Sequence, residues 1–401
     1  MQFMNFIKKK LKNGITVLFE KRDLPMVCYS VSNPFGGAHE TSEIKGVAHL
    51  FEHLLFTGTK TRTNEQILAE IEKLGGVLNA FTAQEVTTYF FKLPSEHIET
   101  GMNLIHDILK NPIFEKEKME REKRVVIEEI KIYHDDPERR ASELLESALY
   151  EKPFGEGVTG TEETVKSLTR EKIIEIFKEN YAPENFIITI VGKADIDKIC
   201  SRLEEDFKPL NKKYVHIPIK KKNQDIKEER EDINQAKIVL GMHVPLDEKT
   251  HYTLEVLNTY LASGMSSKLA LEIREKRGLA YTVSGRIEKE KNYGYYSIFA
   301  GTTKEALDEV KNLIIKGFNE VIKMSEQDLK EAKQRLIGLR KISSEESLNV
   351  MQGLIFMEIA TGKAEDHYKY EEKVKSVRLN EVKNLAKILI KNYSTAIVCP
   401  K

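Results

Sequence analysis

A repeated order of strand and helix signals constrains the fold of this 401-residue chain more than any other feature. In the first half, short β-forming segments precede two helical segments, two further strands and another helix. The same order returns after residue 235. A period of roughly half the chain is typical of a duplicated unit. We therefore expect an α+β fold of two similar α/β domains, each a mostly antiparallel sheet covered by helices.

The two halves are separated by a segment of different composition. Residues 208–234 carry two prolines, three consecutive lysines and many other charges with little periodicity. Such a segment is typical of a connection between domains. We predict an N-terminal domain over 1–212, a linker over 213–234 that adds an edge strand, and a C-terminal domain over 235–401. A long surface loop inside one domain is the alternative for the linker.

The overall charge argues against two classes of partner. Lys and Arg number 63 and Asp and Glu number 63, so the formal net charge at pH 7 is zero. Nucleic acids and anionic membranes attract proteins with a basic excess, so neither is expected as the main partner.

No apolar run approaches the ~20 residues of a membrane span. Three cysteines at spacings that match no disulfide or metal framework suit a reducing compartment, and we expect a cytoplasmic protein.

The segment 46–55 carries two histidines and a glutamate within a helix predicted over 43–57. His49 and His53 are four positions apart and so lie on one face, with Glu52 on the same side. A pair of solvent-facing histidines is the ordinary interpretation of such spacing. However, the order His-x-x-Glu-His is a peptidase signature, and two imidazoles beside a carboxylate suit zinc. We predict a zinc site in which Glu52 takes the proton of a zinc-bound water.

A catalytic zinc usually has three protein ligands, so a third ligand is needed. The helix predicted over 115–133 offers Glu122, Glu128 and Glu129. Glu122 and Glu129 are seven positions apart, hence on nearly the same face but about 10.5 Å apart along the axis. One ion cannot easily bind both, so one is expected to be a ligand and the other a supporting acid. The spacing does not decide which, and it leaves Glu128 open; a solvated helix face is the alternative for each.

Four stretches of sequence, spread over both halves, carry a family resemblance. They are HLFEHLLFTGT (49–59), GGVLNAFTAQEVTTYF (75–90), REKRVVIEE (121–129) and IREKRGLAYTV (273–283). In these stretches the chain resembles the family of pitrilysin, insulin-degrading enzyme and mitochondrial processing peptidase, called inverzincins. Its length is similar to that of the short two-domain prokaryotic branch. The resemblance implies Glu129 as the third ligand of one zinc per chain, and Glu122 as the acid that supports the ligands.

The same resemblance implies which residues contact the substrate. Asn79, Ala80 and Phe81 would form the strand beside which substrate lies, since an exposed edge can accept a peptide through main-chain hydrogen bonds. Arg274 would bind substrate through its planar fork, and Tyr281 would donate its hydroxyl to the developing oxyanion. The alternatives are an ordinary hairpin for residues 79–81, a surface ion pair for Arg274 and ordinary strand packing for Tyr281.

These features predict a zinc metalloendopeptidase that hydrolyses unstructured peptides inside a closed chamber. In the four-domain relatives, the residues that correspond to the zinc set (His49, Glu52, His53 and Glu129) and to the Arg/Tyr set (Arg274 and Tyr281) lie in different halves of the protein. This chain corresponds to one half, so a second copy is expected to supply the other, in a homodimer with shared active sites. The alternative is a non-catalytic scaffold, or a partner subunit of a processing-peptidase heterodimer, although such subunits lack motif residues that this chain carries. His39, His134 and His243 are interpreted as packing or surface residues rather than ligands.

Overall fold

The computed structural model describes residues 5–212 and 217–401. Its strands in chain order are β1 (Phe6–Lys10), β2 (Thr16–Lys21), β3 (Met26–Asn33), β4 (Val77–Thr82), β5 (Thr87–Pro94), β6 (Ile187–Gly192), β7 (Ile226–Arg230), β8 (Ala236–His243), β9 (Ala280–Lys289), β10 (Gly294–Thr302) and β11 (Ser394–Pro400). Its α-helices are α1 (Val47–Leu54), α2 (Asn64–Glu72), α3 (Ile98–Lys110), α4 (Lys116–Asp135), α5 (Pro137–Leu149), α6 (Glu162–Ser167), α7 (Arg170–Asn180), α8 (Ile196–Asp206), α9 (Glu248–Leu261), α10 (Leu307–Glu320), α11 (Glu326–Ser343), α12 (Ser347–Thr361), α13 (Tyr370–Ser376) and α14 (Leu379–Leu389). Short 3-10 helices cover Gly37–His39, Ser42–Ile44, Ser95–His97, Pro183–Asn185, Val321–Lys323 and Ala364–Lys369, and a π-helical turn covers Ala270–Glu275.

The described chain forms two compact units, each discontinuous in sequence. Their segments are 1–130, 157–218 and 343–368 for the first unit and 131–156, 219–342 and 369–401 for the second. The sequence-based domains, 1–212 and 235–401, are continuous in sequence, unlike these units, and their boundaries stay a prediction. Of the predicted linker, residues 213–216 lie outside the described residues, and β7 lies in the remainder, at the edge of the second sheet.

The first unit is built on a sheet with β4 at one edge. Among the described residues its strand order is β1-β2-β6-β3-β5-β4, and every neighbouring pair is antiparallel except β2 and β6. Strands β2, β3, β5 and β6 are almost continuously buried. Such runs form where both faces of a sheet are covered. β4 pairs with β5 on one side, and no other described strand pairs with it.

Helices cover both faces of this first sheet. The core on one face includes side chains from α1 to α4 and from α6 to α8. On the other face, α12 packs against β3 and β6 through Val350, Met351 and Leu354. The sequence of α12, SLNVMQGLIFMEIAT, is largely apolar on all sides. A helix of this composition is stable only where most of its surface is shielded from water.

The second unit repeats this arrangement. Its sheet, within the described residues, has the order β7-β11-β8-β10-β9, antiparallel except for β7 with β11. Helices α9, α10 and α14 contribute to the core on one face, and α5 packs on β8 and β11. Gly241 of β8 makes this close approach possible, because a Cβ there would lie 2.5 Å from a methyl group of Leu145. The predicted α+β fold with two similar, mostly antiparallel domains is confirmed.

The helix that carries the two histidines is shorter than predicted. It covers Val47–Leu54 instead of 43–57. Its start is fixed by Gly46, which has a left-handed φ of 91°, and a Cβ at this position would lie 2.5 Å from the carbonyl oxygen of Thr159. Only glycine meets both conditions without strain. Within the described residues, no helix has the length and apolar character required to cross a membrane.

Candidate metal centre

The N-terminus of α1 is fixed by a buried ion pair. The carboxylate of Glu40 accepts hydrogen bonds from the backbone N–H groups of Gly46 (3.0 Å) and Ala48 (2.7 Å). Lys45 Nζ lies 3.5 Å from this carboxylate and donates to the carbonyl oxygen of Gly37 over 2.7 Å. Both side chains are fully buried. Burial raises the pKa of Glu40, while Lys45 and the two N–H groups lower it. The carboxylate satisfies N–H groups that a helix start leaves without partners.

Two histidines of α1 and one glutamate of α4 converge on one point. Nε2 of His49 lies 3.6 Å from Oε2 of Glu129, and Nε2 of His53 lies 3.4 Å from the same oxygen. The three ligand atoms all lie within 4.8 Å of one another. Two atoms that each bind a tetrahedral zinc at about 2.1 Å are about 3.4 Å apart. The spacing therefore fits a shared ion, and it exceeds the ~2.7–3.2 Å of a good N–H···O hydrogen bond.

The remaining glutamates of α4 take different places. Glu122 lies on the other side of the His53 ring, with its Oε2 3.6 Å from Nδ1. A metal-bound histidine usually directs its second nitrogen at a carboxylate in this way. Glu128 is exposed and does not belong to the cluster. The structure thus places the three glutamates differently, with Glu129 in the cluster, Glu122 beside Nδ1 of His53 and Glu128 at the surface, and their roles stay predictions.

The cluster gives its two histidines opposite acid–base character. Burial, together with His53, lowers the pKa of His49 to about 4. Burial also opposes the charged form of His53, but the carboxylates of Glu122 and Glu129 outweigh it and raise the pKa of His53 to about 9. Nδ1 of His49 is buried and has no hydrogen-bond partner among the described residues. A neutral His49 with its Nε2 turned toward Glu129 is a suitable ligand, since metals bind the neutral imidazole.

Glu52, between the two histidines in sequence, is held by the edge strand of the sheet. The hydroxyl of Thr82, the last residue of β4, donates to Oε2 of Glu52 over 2.6 Å. Burial raises the pKa of Glu52, and this hydrogen bond opposes the rise. A carboxyl group with a raised pKa beside a metal site is a candidate for a general base.

The predicted substrate residues lie on β4. Asn79, Ala80 and Phe81 follow one another along this edge strand, and the backbone N–H of Ala80 donates to Oδ1 of Asn79 over 2.8 Å. The ring of Phe81 lies 5.9 Å from the ring of Phe356, on the face of the sheet that α12 covers. A strand with an unpaired edge can accept an extended peptide.

Arg274 and Tyr281 belong to the second unit. Arg274 lies in the π-helical turn, and its guanidinium is 5.1 Å from the ring centre of Tyr281. Tyr281 lies near the start of the edge strand β9 and is 79% exposed. Arg274 Nε also lies 3.5 Å from Oε1 of Glu275, as in the surface ion pair that was the alternative for this residue. The roles of Arg274 and Tyr281 toward a substrate stay predictions.

Of the three other histidines considered as ligands, His39 and His243 have local partners. His39 Nδ1 accepts from the backbone N–H of Gly36 over 3.2 Å, and His243 Nε2 lies 2.9 Å from the carbonyl oxygen of Lys222. His134 lies near the end of α4, in the second unit. None of the three belongs to the metal cluster found among the described residues.

Sequence reasoning missed three residues that shape the site: Glu40, Lys45 and Thr82. Thr82 lies within one of the four matching stretches, which was its only signal. Glu40 and Lys45 lie outside those stretches, and their pairing depends on how the loop before α1 folds.

Comparisons with known proteins identify the family of this chain. Residues 19–162 match the family described as insulinase, peptidase family M16, and residues 167–336 match the family described as peptidase M16 inactive domain. A protein of Rickettsia felis named as an uncharacterized zinc protease is 33% identical over 344 residues, which cover 83% of this chain and 82% of that protein. The zinc protease YmxG of Bacillus subtilis, also named as uncharacterized, is 28% identical over 397 residues, 97% of each chain.

Solved structures show the same fold. A protease from Helicobacter pylori superposes with a TM-score of 0.90 at 21% identity and covers 98% of this chain and 99% of its own. A peptidase M16 inactive domain protein from Pseudomonas fluorescens gives a TM-score of 0.88 at 20% identity, covering 99% and 98%. Over both halves of its length, this chain belongs to peptidase family M16, the insulinase-like family, and its relatives are short two-domain zinc proteases of bacteria.

Proposed function

We propose that this protein is a zinc-dependent endopeptidase that hydrolyses unstructured peptides. The observation that carries the proposal is the convergence of His49, His53 and Glu129 within 4.8 Å, beside a Glu52 held by Thr82. Two imidazole nitrogens and one carboxylate oxygen are a donor set that suits zinc and leaves a fourth position open. In this proposal each chain binds one zinc.

The proposed chemistry divides the reaction among side chains of the first unit. Zinc, when bound, would supply an acidified water, with a pKa lowered toward ~7. Glu52 would take a proton from this water and pass it to the leaving amine. Glu122 would hold the ring of His53 through Nδ1, which keeps Nε2 turned toward the metal.

The proposed substrate is a chain segment without stable structure. Asn79, Ala80 and Phe81 lie on an edge strand, and main-chain hydrogen bonds to such an edge require an extended peptide but no particular side chains. Most backbone groups of a compact folded protein are already paired within its own helices and sheets, so few of them are free to make these bonds. Arg274 and Tyr281 would bind the substrate carbonyl and stabilise the oxyanion, and we propose that they act from a second copy of the chain in a homodimer that encloses a chamber. We also propose a cytoplasmic location.

A non-catalytic scaffold or partner subunit is the second candidate. It is suggested by the description of the C-terminal match as an inactive domain. That match begins at residue 167, whereas His49, Glu52, His53 and Glu129 lie in the segment matched by the insulinase family over 19–162. All four residues of the zinc set therefore lie in the half that matches the insulinase family and not in the half described as inactive, and this favours the peptidase.

The test is digestion of a random peptide library by the zinc-loaded protein, with Glu52→Gln as the control. We expect the wild type to cut many short peptides and Glu52→Gln to retain zinc while losing about 10²–10⁴ in turnover. A compact folded protein in the same mixture should stay intact. Hydrolysis by Glu52→Gln at the wild-type rate would contradict the mechanism, and a zinc-loaded wild type that cuts no peptide would favour the scaffold.

A further inference from the structure

We propose that Thr82 is a positioning residue for the reaction, because its hydroxyl holds the carboxylate of Glu52 in the orientation needed for proton transfer. This inference rests on the proposed peptidase function. Thr82 Oγ1 donates to Glu52 Oε2 over 2.6 Å, within the range of a strong hydroxyl–carboxylate hydrogen bond. With Oε2 occupied in this way, Oε1 is left to exchange the proton.

A glutamate in this place needs a partner that fixes it. The terminal torsion of a glutamate side chain has a broad distribution, so a half-buried Glu52 without this partner would sample several orientations. Proton transfer requires the carboxylate within roughly 0.5 Å and 10–20° of the productive geometry. The hydroxyl of Thr82 restricts the carboxylate before any substrate is bound.

One loop fixes the positions of both partners. In the loop 36–45, the backbone N–H groups of Gly37 and Ala38 donate to the carbonyl oxygens of Ala83 (3.2 Å) and Gln84 (2.7 Å), the two residues that follow β4. The same loop supplies the buried carboxylate that binds the N-terminus of α1. The end of β4 and the start of α1 are therefore held by a single segment, and the hydrogen bond between them joins two elements whose separation is already set.

Thr82 also lies on the strand proposed to accept the peptide. It ends β4, three residues after Asn79, so the element that binds the substrate main chain also orients the general base. Removal of the hydroxyl leaves the backbone of the strand unchanged. The loss should therefore appear in kcat and leave KM unchanged, as for an interaction that acts on the chemical step.

The experiment compares Thr82→Val, which keeps the shape of the side chain without its hydroxyl, with Thr82→Ser, which keeps the hydroxyl. We expect Thr82→Val to lower kcat about 10-fold or more, with KM, zinc content and melting temperature unchanged, and Thr82→Ser to retain most of kcat. Thr88→Val is the matched control. It removes a hydroxyl of the neighbouring strand that pairs with Ser32 over 2.9 Å, and its kcat should equal that of the wild type.

A second measurement does not depend on activity. Crystal structures of the wild type and of Thr82→Val should show one orientation of the Glu52 carboxylate in the former and several, or a different one, in the latter. The inference is overturned if Thr82→Val keeps the wild-type kcat, if serine and valine are equally damaging, or if Thr82→Val acts by losing zinc. A wild type without any hydrolysis counts against the proposed function, and the crystallographic comparison then still decides whether Thr82 orients Glu52.

Discussion

At the scale of single residues, Glu122 and Glu129 lie on opposite sides of the His53 ring and have different expected roles. Glu129 approaches Nε2 of both His49 and His53, whereas Glu122 approaches only Nδ1 of His53. Loss of a residue that binds the ion directly removes a ligand, so zinc affinity should fall steeply. Loss of a residue that only orients a ligand leaves all ligands in place, so zinc affinity should fall less.

We therefore expect Glu129→Gln to lose most of its zinc and Glu122→Gln to bind zinc about 10–100-fold more weakly than the wild type. Glu128→Gln, at an exposed position on the same helix, is the matched control and should bind zinc normally. Elemental analysis after dialysis, followed by competition with a chelator, measures both effects. Full zinc occupancy in Glu129→Gln would contradict its assignment as a ligand.

How much of the site is predictable from sequence differs among its residues. His49, Glu52 and His53 lie within five positions on one helix, so helical geometry alone places them together. Glu129 is distant in sequence, and its spacing from Glu122 indicated a pair without saying which member binds the ion. Thr82 could not be predicted, because its hydroxyl meets Glu52 only through the packing of β4 beside α1.

At the scale of elements, the start of α1 depends on a charge pair without access to water. Removal of one partner from a buried ion pair leaves the other charge uncompensated, which costs about 3–5 kcal/mol. Lys45→Met should therefore lower the free energy of unfolding by about this amount. Lys92→Met is the matched control, because Lys92 forms a surface pair with Glu346 at 2.7 Å, worth only ~0–1 kcal/mol. Urea denaturation measures both, and equal effects of the two substitutions would refute the structural role of the buried pair.

Periodicity predicted most elements but not what they pack on. The sequence indicates helices over much of 325–391, and α11 to α14 lie there. Nothing in an apolar helix such as α12 says which sheet it covers, because its residues are compatible with any buried surface. The left-handed backbone of Gly46, which shortens α1, depends in the same way on a contact with Thr159 that is distant in sequence.

At the scale of the whole molecule, the proposed homodimer makes a prediction about mixed assemblies. If Arg274 and Tyr281 of one chain serve the zinc set of its partner, Glu52→Gln and Tyr281→Phe should complement each other. Random pairing after joint refolding makes roughly half of the dimers mixed, and each mixed dimer has one intact site, so about a quarter of wild-type activity should return. Each variant refolded alone is the control. No recovery, with mixed dimers shown to be present, would rule out shared sites.

The discontinuous make-up of the two units has a consequence for the order in which the protein can fold during its synthesis. The ribosome completes all strands of the first sheet by residue 192, but α12, which covers Leu18, Cys28 and Phe90 on one face of that sheet, is not translated until residues 347–361. Over more than 150 residues of elongation, this apolar face lacks its native cover. A nascent chain at this stage exposes apolar surface that chaperones bind, and the first unit can reach its final form only after residues 343–368 have been translated.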